Sequence, residues 1–185
     1  MLDYETEAAI QLGTRIDPTA KKQQDVPAFM VTCSVGYTFD IKQKPRVALG
    51  YDYLSGQTPD DTDYKVFDTL LATNHKFYGF MDYFLNILGH TGGAGLQDLM
   101  LKFQIIPHKK VTLKVDFHQF LSAQTVENMN SYGQKVDLTL VSAYQKALNF
   151  TLGLSVFPPD ALMQLRFKSN SDIAVWVYLI TTANF

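Results

Sequence analysis

The 185-residue sequence predicts an all-β fold, an up-and-down antiparallel barrel or half-barrel of about eight strands with one long, partly helical loop. Three observations predict it. Apolar and polar residues alternate with period two over most of the chain, the alternating stretches are long, and short and long connections follow one another. With 46% hydrophobic and 13% aromatic residues, the chain reads as a single domain over 1–185, its long loop at 57–94.

The elements follow in order. Residues 4–12 and 29–39 read as the first two strands. In the third, Val47, Leu49, Tyr51 and Tyr53 alternate with Arg46, Ala48, Gly50 and Asp52. In the fourth, Leu99, Leu101, Phe103 and Ile105 alternate with Asp98, Met100, Lys102 and Gln104. Val111, Leu113, Val115 and Phe117 oppose Thr112, Lys114, Asp116 and His118, the clearest single-faced strand of the chain. Val136, Leu138 and Leu140 oppose Asp137 and Thr139, the stretch from Phe150 to Val156 alternates again, and Ile173, Val175, Val177 and Leu179 begin the last strand. Short turns are expected at 40–44, 107–109 and 146–147, and long loops at 17–25, 56–94, 124–134 and 158–172. Within the longest loop, Phe77, Phe80, Met81, Phe84 and Leu88 repeat at helical spacing between a capping Asn74 and a terminating Gly89, which predicts one helix.

Alternation alone fits a soluble barrel as well as a membrane barrel, so strand length and aromatic placement decide. Residues 109–123 and 135–146 exceed the ~9–11 residues of a tilted transmembrane strand. Tyr51, Tyr53, Phe117, Phe120, Tyr144, Phe150 and Phe157 lie toward strand ends, where an interfacial girdle sits. The chain stops at Phe185 after an alternating strand, an ending common in outer-membrane barrels. Short turns on one side and long loops on the other give the same reading. The alternative is a soluble eight-stranded barrel binding a small apolar ligand against the face that runs from Val111 to Phe117.

Other classes are excluded or weakened. A net charge of -2 leaves no Lys/Arg excess for nucleic acid. The longest apolar run, 173–180, is too short for a transmembrane helix, which needs ~20 residues. Met1 is followed by Leu2, Asp3, Tyr4 and Glu5, so no signal peptide is read at the start, and location in a bacterial outer membrane rests on the strands. The lone Cys33 offers neither a disulfide nor a metal cluster. His75, His90, His108 and His118 show no metal-binding or catalytic spacing, and Asp116 and His118 read as neighbours in a polar lining. No enzyme activity, cofactor or metal is expected. Asp60, Asp61 and Asp63 read as a solvated loop tip rather than a Ca²⁺ site, and 89–95 as a glycine-rich hinge.

Several blocks resemble the alginate-export family of outer-membrane barrels. Gly50-Tyr51-Asp52-Tyr53-Leu54-Ser55-Gly56, then Phe67-Asp68-Thr69-Leu70, then Thr73-Asn74-His75-Lys76-Phe77-Tyr78-Gly79-Phe80-Met81-Asp82 occur in the family's order. Gly95-Leu96-Gln97-Asp98, the strand from Leu113 to Phe120, Asp137-Leu138-Thr139-Leu140 and the Phe157-Pro158 corner continue the likeness, which spans about Leu49 to Phe185. The resemblance implies the C-terminal half of a porin of about eighteen strands, the passage of an anionic polysaccharide or small solutes, contact with outer-membrane lipid, and either self-association or a missing N-terminal half. It makes Asn74, His75, Lys76, Tyr78 and Asp82 the loop motif; Ala72 stands where the family pattern leads one to expect proline. Pore-lining candidates on the polar faces are the cations Arg46, Lys102 and Lys114 and the carboxylates Asp52, Asp98, Asp116 and Asp137. Three cations against four carboxylates make no ladder for a polyuronate, and pairing of these charges across strands is the expectation.

Overall fold

A computed structural model describes residues 1–70, 75–145, 147–168 and 171–184, the side chains of 75, 76 and 145 excepted. Its strands are β1 (Leu2–Gln11), β2 (Thr14–Ile16), β3 (Gln23–Asp25), β4 (Ala28–Thr38), β5 (Arg46–Leu54), β6 (Leu96–His108), β7 (Val111–Val126), β8 (Met129–Gln145), β9 (Leu148–Phe157) and β10 (Ala174–Ala183). The helices are α1 (His75–Tyr78), α2 (Ile87–Thr91) and α3 (Ala161–Phe167). Eight strands form one antiparallel sheet in the order β1-β4-β5-β6-β7-β8-β9-β10, while β2 and β3 make a separate hairpin. The sheet is a meander, and it is not closed: β1 and β10 are its two edges.

Period-two alternation sets what each face carries. Leu49, Leu101, Leu138 and Val177 point to one face and stay 44–62% exposed. Asp52, Asp98, His118, Lys135 and Ser155 point to the other and are buried, because the long connection between β5 and β6 folds over them. The apolar face is therefore the uncovered one. This overturns the soluble-barrel alternative, which needed Leu113 and Val115 to line an enclosed pocket; each is 39% exposed. Eight strands of exposed Leu, Val and Phe far exceed the apolar patch that a water-soluble monomer tolerates.

The core sits at the long-loop end. Leu54, Leu96, Phe120 and Phe157 from the strands meet Phe67, Tyr78, Phe84 and Ile87 from the loop and Leu162 from α3. Each such side chain taken out of water contributes about 1.5–3 kcal/mol, which is how a connection of this length stays folded against the sheet. Phe120 and Phe157 thus belong to this core and not to an outer girdle. The outward aromatics instead pair at both ends of the sheet. Phe29 stacks on Tyr53 toward the loops, and near the turns Tyr37 meets Phe39 and Tyr144 meets Phe150.

Three connections differ from the sequence expectation. The predicted single helix is two short ones: α1 ends before Gly79 at φ 79°, and α2 begins only at Ile87, where the Asn86 side chain accepts from Gly89 N at 2.9 Å. A left-handed backbone at Gly79 and again at Asp82 (φ 62°) cannot continue a right-handed helix, so the apolar spacing is satisfied by separate turns. The helix ends at Gly92 rather than Gly89. The loop expected at 124–134 is a tight hairpin, with β7 and β8 running on to a turn of Glu127 and Asn128, both left-handed. The expected 17–25 loop is the turn of the β2–β3 hairpin together with β3 itself, and Asp17 holds that turn, its carboxylate accepting from Thr19 N and Ala20 N at 2.7 and 2.6 Å.

Candidate functional site in the loop-covered face

Strand register brings the charged residues together. Asp52 lies opposite Asp98, Lys102 opposite Asp116, His118 opposite Lys135, and Asp116 opposite Asp137. All point to the face beneath the long loop, because they share the parity of the buried positions on their strands. The pore-lining candidates Arg46, Asp52, Asp98, Lys102, Lys114, Asp116 and Asp137 therefore lie on one face.

The cluster is centred on His118. Its Nδ1 is 2.7 Å from Asp98 Oδ2, its Nε2 is 3.9 Å from Asp137 Oδ2, and its ring stacks on Phe120 at 5.3 Å with 14° between planes. Lys135 Nζ pairs with Asp137 Oδ2 at 2.9 Å and also donates to the Tyr78 carbonyl. Lys135 is 1% exposed and Asp98 0%, so each charge depends on its partner for the solvation that water would supply. At the other end of the sheet Arg46 Nε donates to Asp3 Oδ2 at 3.1 Å, and a second guanidinium nitrogen engages Asp3 Oδ1. Arg46–Asp3 and His118–Asp98 pair across strands, whereas Lys135–Asp137 pairs along β8, and no ion pair among the described residues joins two of the seven pore-lining candidates.

Tyr78 joins the loop motif to this cluster. Its ring is buried against Phe84 and Phe120, and burial, reinforced by the charges of Asp52 and Asp98, pushes its hydroxyl far above the usual phenol range. The next residue, Gly79, lies so close to Lys135 that a Cβ there would overlap Nζ, and its φ of 79° is a conformation glycine adopts freely. Asp82 sits at the following turn. Asn74, with Ala72 and Thr73, lies outside the described residues, as does Phe185, and the side chains of His75 and Lys76 are likewise not described.

Sequence reasoning missed Lys135, Asp3, Glu5 and Glu7. The sequence puts Lys135 at a strand start, because nothing in it marks the 124–134 stretch as a hairpin. Glu5 and Glu7 were within an expected strand, but their face becomes evident only where β1 borders the cavity beneath the loop. That cavity, about 520 Å³, lies between the first strands and residues 67–70 and 77–78 of the loop.

Among the described residues His118 hydrogen bonds to Asp98, and no group of three or more His, Cys, Asp or Glu is placed to hold a metal. Asp61 serves its own turn, accepting from Thr58 N at 2.8 Å and pairing with Lys65. No helix among the described residues is long and apolar enough to cross a membrane.

An antiparallel meander with an exposed apolar face, aromatic pairs at both ends and a charged face filled by a long loop defines an outer-membrane β-barrel wall. The family model for alginate export matches residues 1–170, and the chain belongs to that family, one of outer-membrane transport porins. The match takes in β1 and β4, which precede the blocks that carry the sequence resemblance. None of the curated proteins matches the chain.

Proposed function

We propose that the chain supplies a wall of an outer-membrane channel whose lumen is the loop-covered face, and that this wall favours small neutral or cationic solutes. One observation carries the reading. The face holds the carboxylates Asp3, Glu5, Glu7, Asp52, Asp98, Asp116 and Asp137 against the cations Arg46, Lys102, Lys114 and Lys135. Arg46 and Lys135 are moreover tied to Asp3 and Asp137. A rim of this sign attracts cations and repels a polyanion.

Family membership favours a second reading, passage of an anionic polysaccharide. On that reading the free Arg and Lys that carboxylates need come from strands added at β1 or β10, whose outer edges are open in the sheet. Both readings place outer-membrane lipid against the apolar face and complete the sheet at its edges, by a second copy or by further strands of a longer chain.

Ion selectivity tests this. The chain, folded into planar bilayers under a salt gradient, should conduct with a reversal potential of cation-selective sign. Folded protein that conducts nothing overturns the channel reading, and anion preference returns the polysaccharide reading to first place.

A further inference from the structure

The cavity of about 520 Å³ beneath the long loop has a composition the cluster around His118 does not share. Its walls are apolar, from Met30, Leu54, Phe67, Phe77, Tyr78 and Met100. Among the described residues its charged lining is Glu5, Glu7, Asp52 and Asp68 with one cation, Lys102. Acidic side chains alone make no site, but one of these is unusual. Asp52 is only 6% exposed, and among the described residues it takes part in no hydrogen bond or ion pair. It stands directly opposite Asp98 in the register of β5 and β6, an arrangement of like charges that destabilises a sheet. Asp98 meets His118 through Oδ2 at 2.7 Å and keeps its Oδ1 buried without a hydrogen bond, away from the cavity lining; Asp52 is the one of the two that lines the cavity.

A buried carboxylate with no hydrogen-bonded partner, its charge offset only at longer range by Lys102, is retained against a cost, and a cation seated in the cavity removes that cost. The remaining wall selects the cation's shape. Aromatic rings of Phe67, Phe77 and Tyr78 and the thioethers of Met30 and Met100 favour an apolar body and reject a hydrated metal ion, which needs several oxygen ligands. We infer that the cavity is a binding site for a small protonated amine with a compact apolar body, with Asp52 as the counter-charge. The inference deepens the channel reading by naming a solute class, and it rests on the loop-covered face being open to water.

Calorimetric titration of the full chain in zwitterionic detergent micelles tests it, with phenethylammonium as the probe and empty micelles as the blank. The isosteric alcohol 2-phenylethanol and the anion phenylacetate serve as comparisons. Phenethylammonium should bind at least tenfold more tightly than either, and Asp52→Asn should abolish that preference while leaving weak binding of the alcohol. Lys102→Gln, which removes the competing cation, should strengthen ammonium binding several-fold, and this variant decides the matter if Asp52→Asn fails to fold. Equal binding of amine and alcohol, an unchanged preference in Asp52→Asn, or no gain in Lys102→Gln overturns the inference. Conductance is read separately, so an amine that binds to a chain that conducts nothing keeps this site and removes only the channel reading.

Discussion

Lys135 is the residue on which the loop and the sheet depend together. Its ammonium joins Asp137 on its own strand to the carbonyl of Tyr78, which lies 57 residues earlier in the chain. Removing one partner of a buried pair leaves the other charge uncompensated, so Lys135→Met should destabilise the folded protein by roughly 3–5 kcal/mol. Urea unfolding in lipid vesicles measures the loss, and replacing Asp137 by Leu in the same chain should recover part of it. Gly79→Ala acts at the same contact from the loop side. The added methyl meets Nζ and the left-handed backbone disfavours it, so about 1–3 kcal/mol should be lost, with hydrogen exchange in the loop rising before that of the strands. Nothing at sequence level marks Lys135, because both its partners are defined by register and by a long-range return of the chain.

Among the elements, β7 and β8 show most clearly how strand pattern becomes function. They run 16 and 17 residues, and Leu138 lies in the middle of the outward apolar rows, opposite Val115 on one side and Leu154 on the other. Leu138→Arg should therefore cost about 2–4 kcal/mol of folding free energy in vesicles, while Thr112→Arg, on the opposite face, should fold and change conductance. Equal penalties for both would contradict the assignment of faces. Their hairpin turn carries a correctable flaw: Glu127 holds φ at 49°, where a long side chain is strained and asparagine is tolerated. Glu127→Asn should stabilise the hairpin by about 0.5–1 kcal/mol, seen as a higher urea midpoint. The sequence predicts a loop here because Glu-Asn lacks the glycine that usually announces a two-residue hairpin.

For the whole molecule, the exposed apolar face sets the solvent. Unfolded chain diluted into buffer should aggregate, and diluted into detergent or vesicles should give a folded form of altered gel mobility before heating; a monodisperse protein in plain buffer would sink the membrane reading. The order of all eight sheet strands is legible from alternation and from the rhythm of the connections. The sequence by itself determined the strands and which residues share a face, because side chains alternate along any extended chain whatever surrounds it. Which face stays uncovered, which aromatics are core, and which carboxylate lines the cavity were decided only by tertiary structure. Those outcomes depend on where the long loop lands and on cross-strand register, and both bring together residues far apart in sequence: Tyr78 with Lys135, Asp98 with His118, and Asp52 with the cavity beneath Phe77.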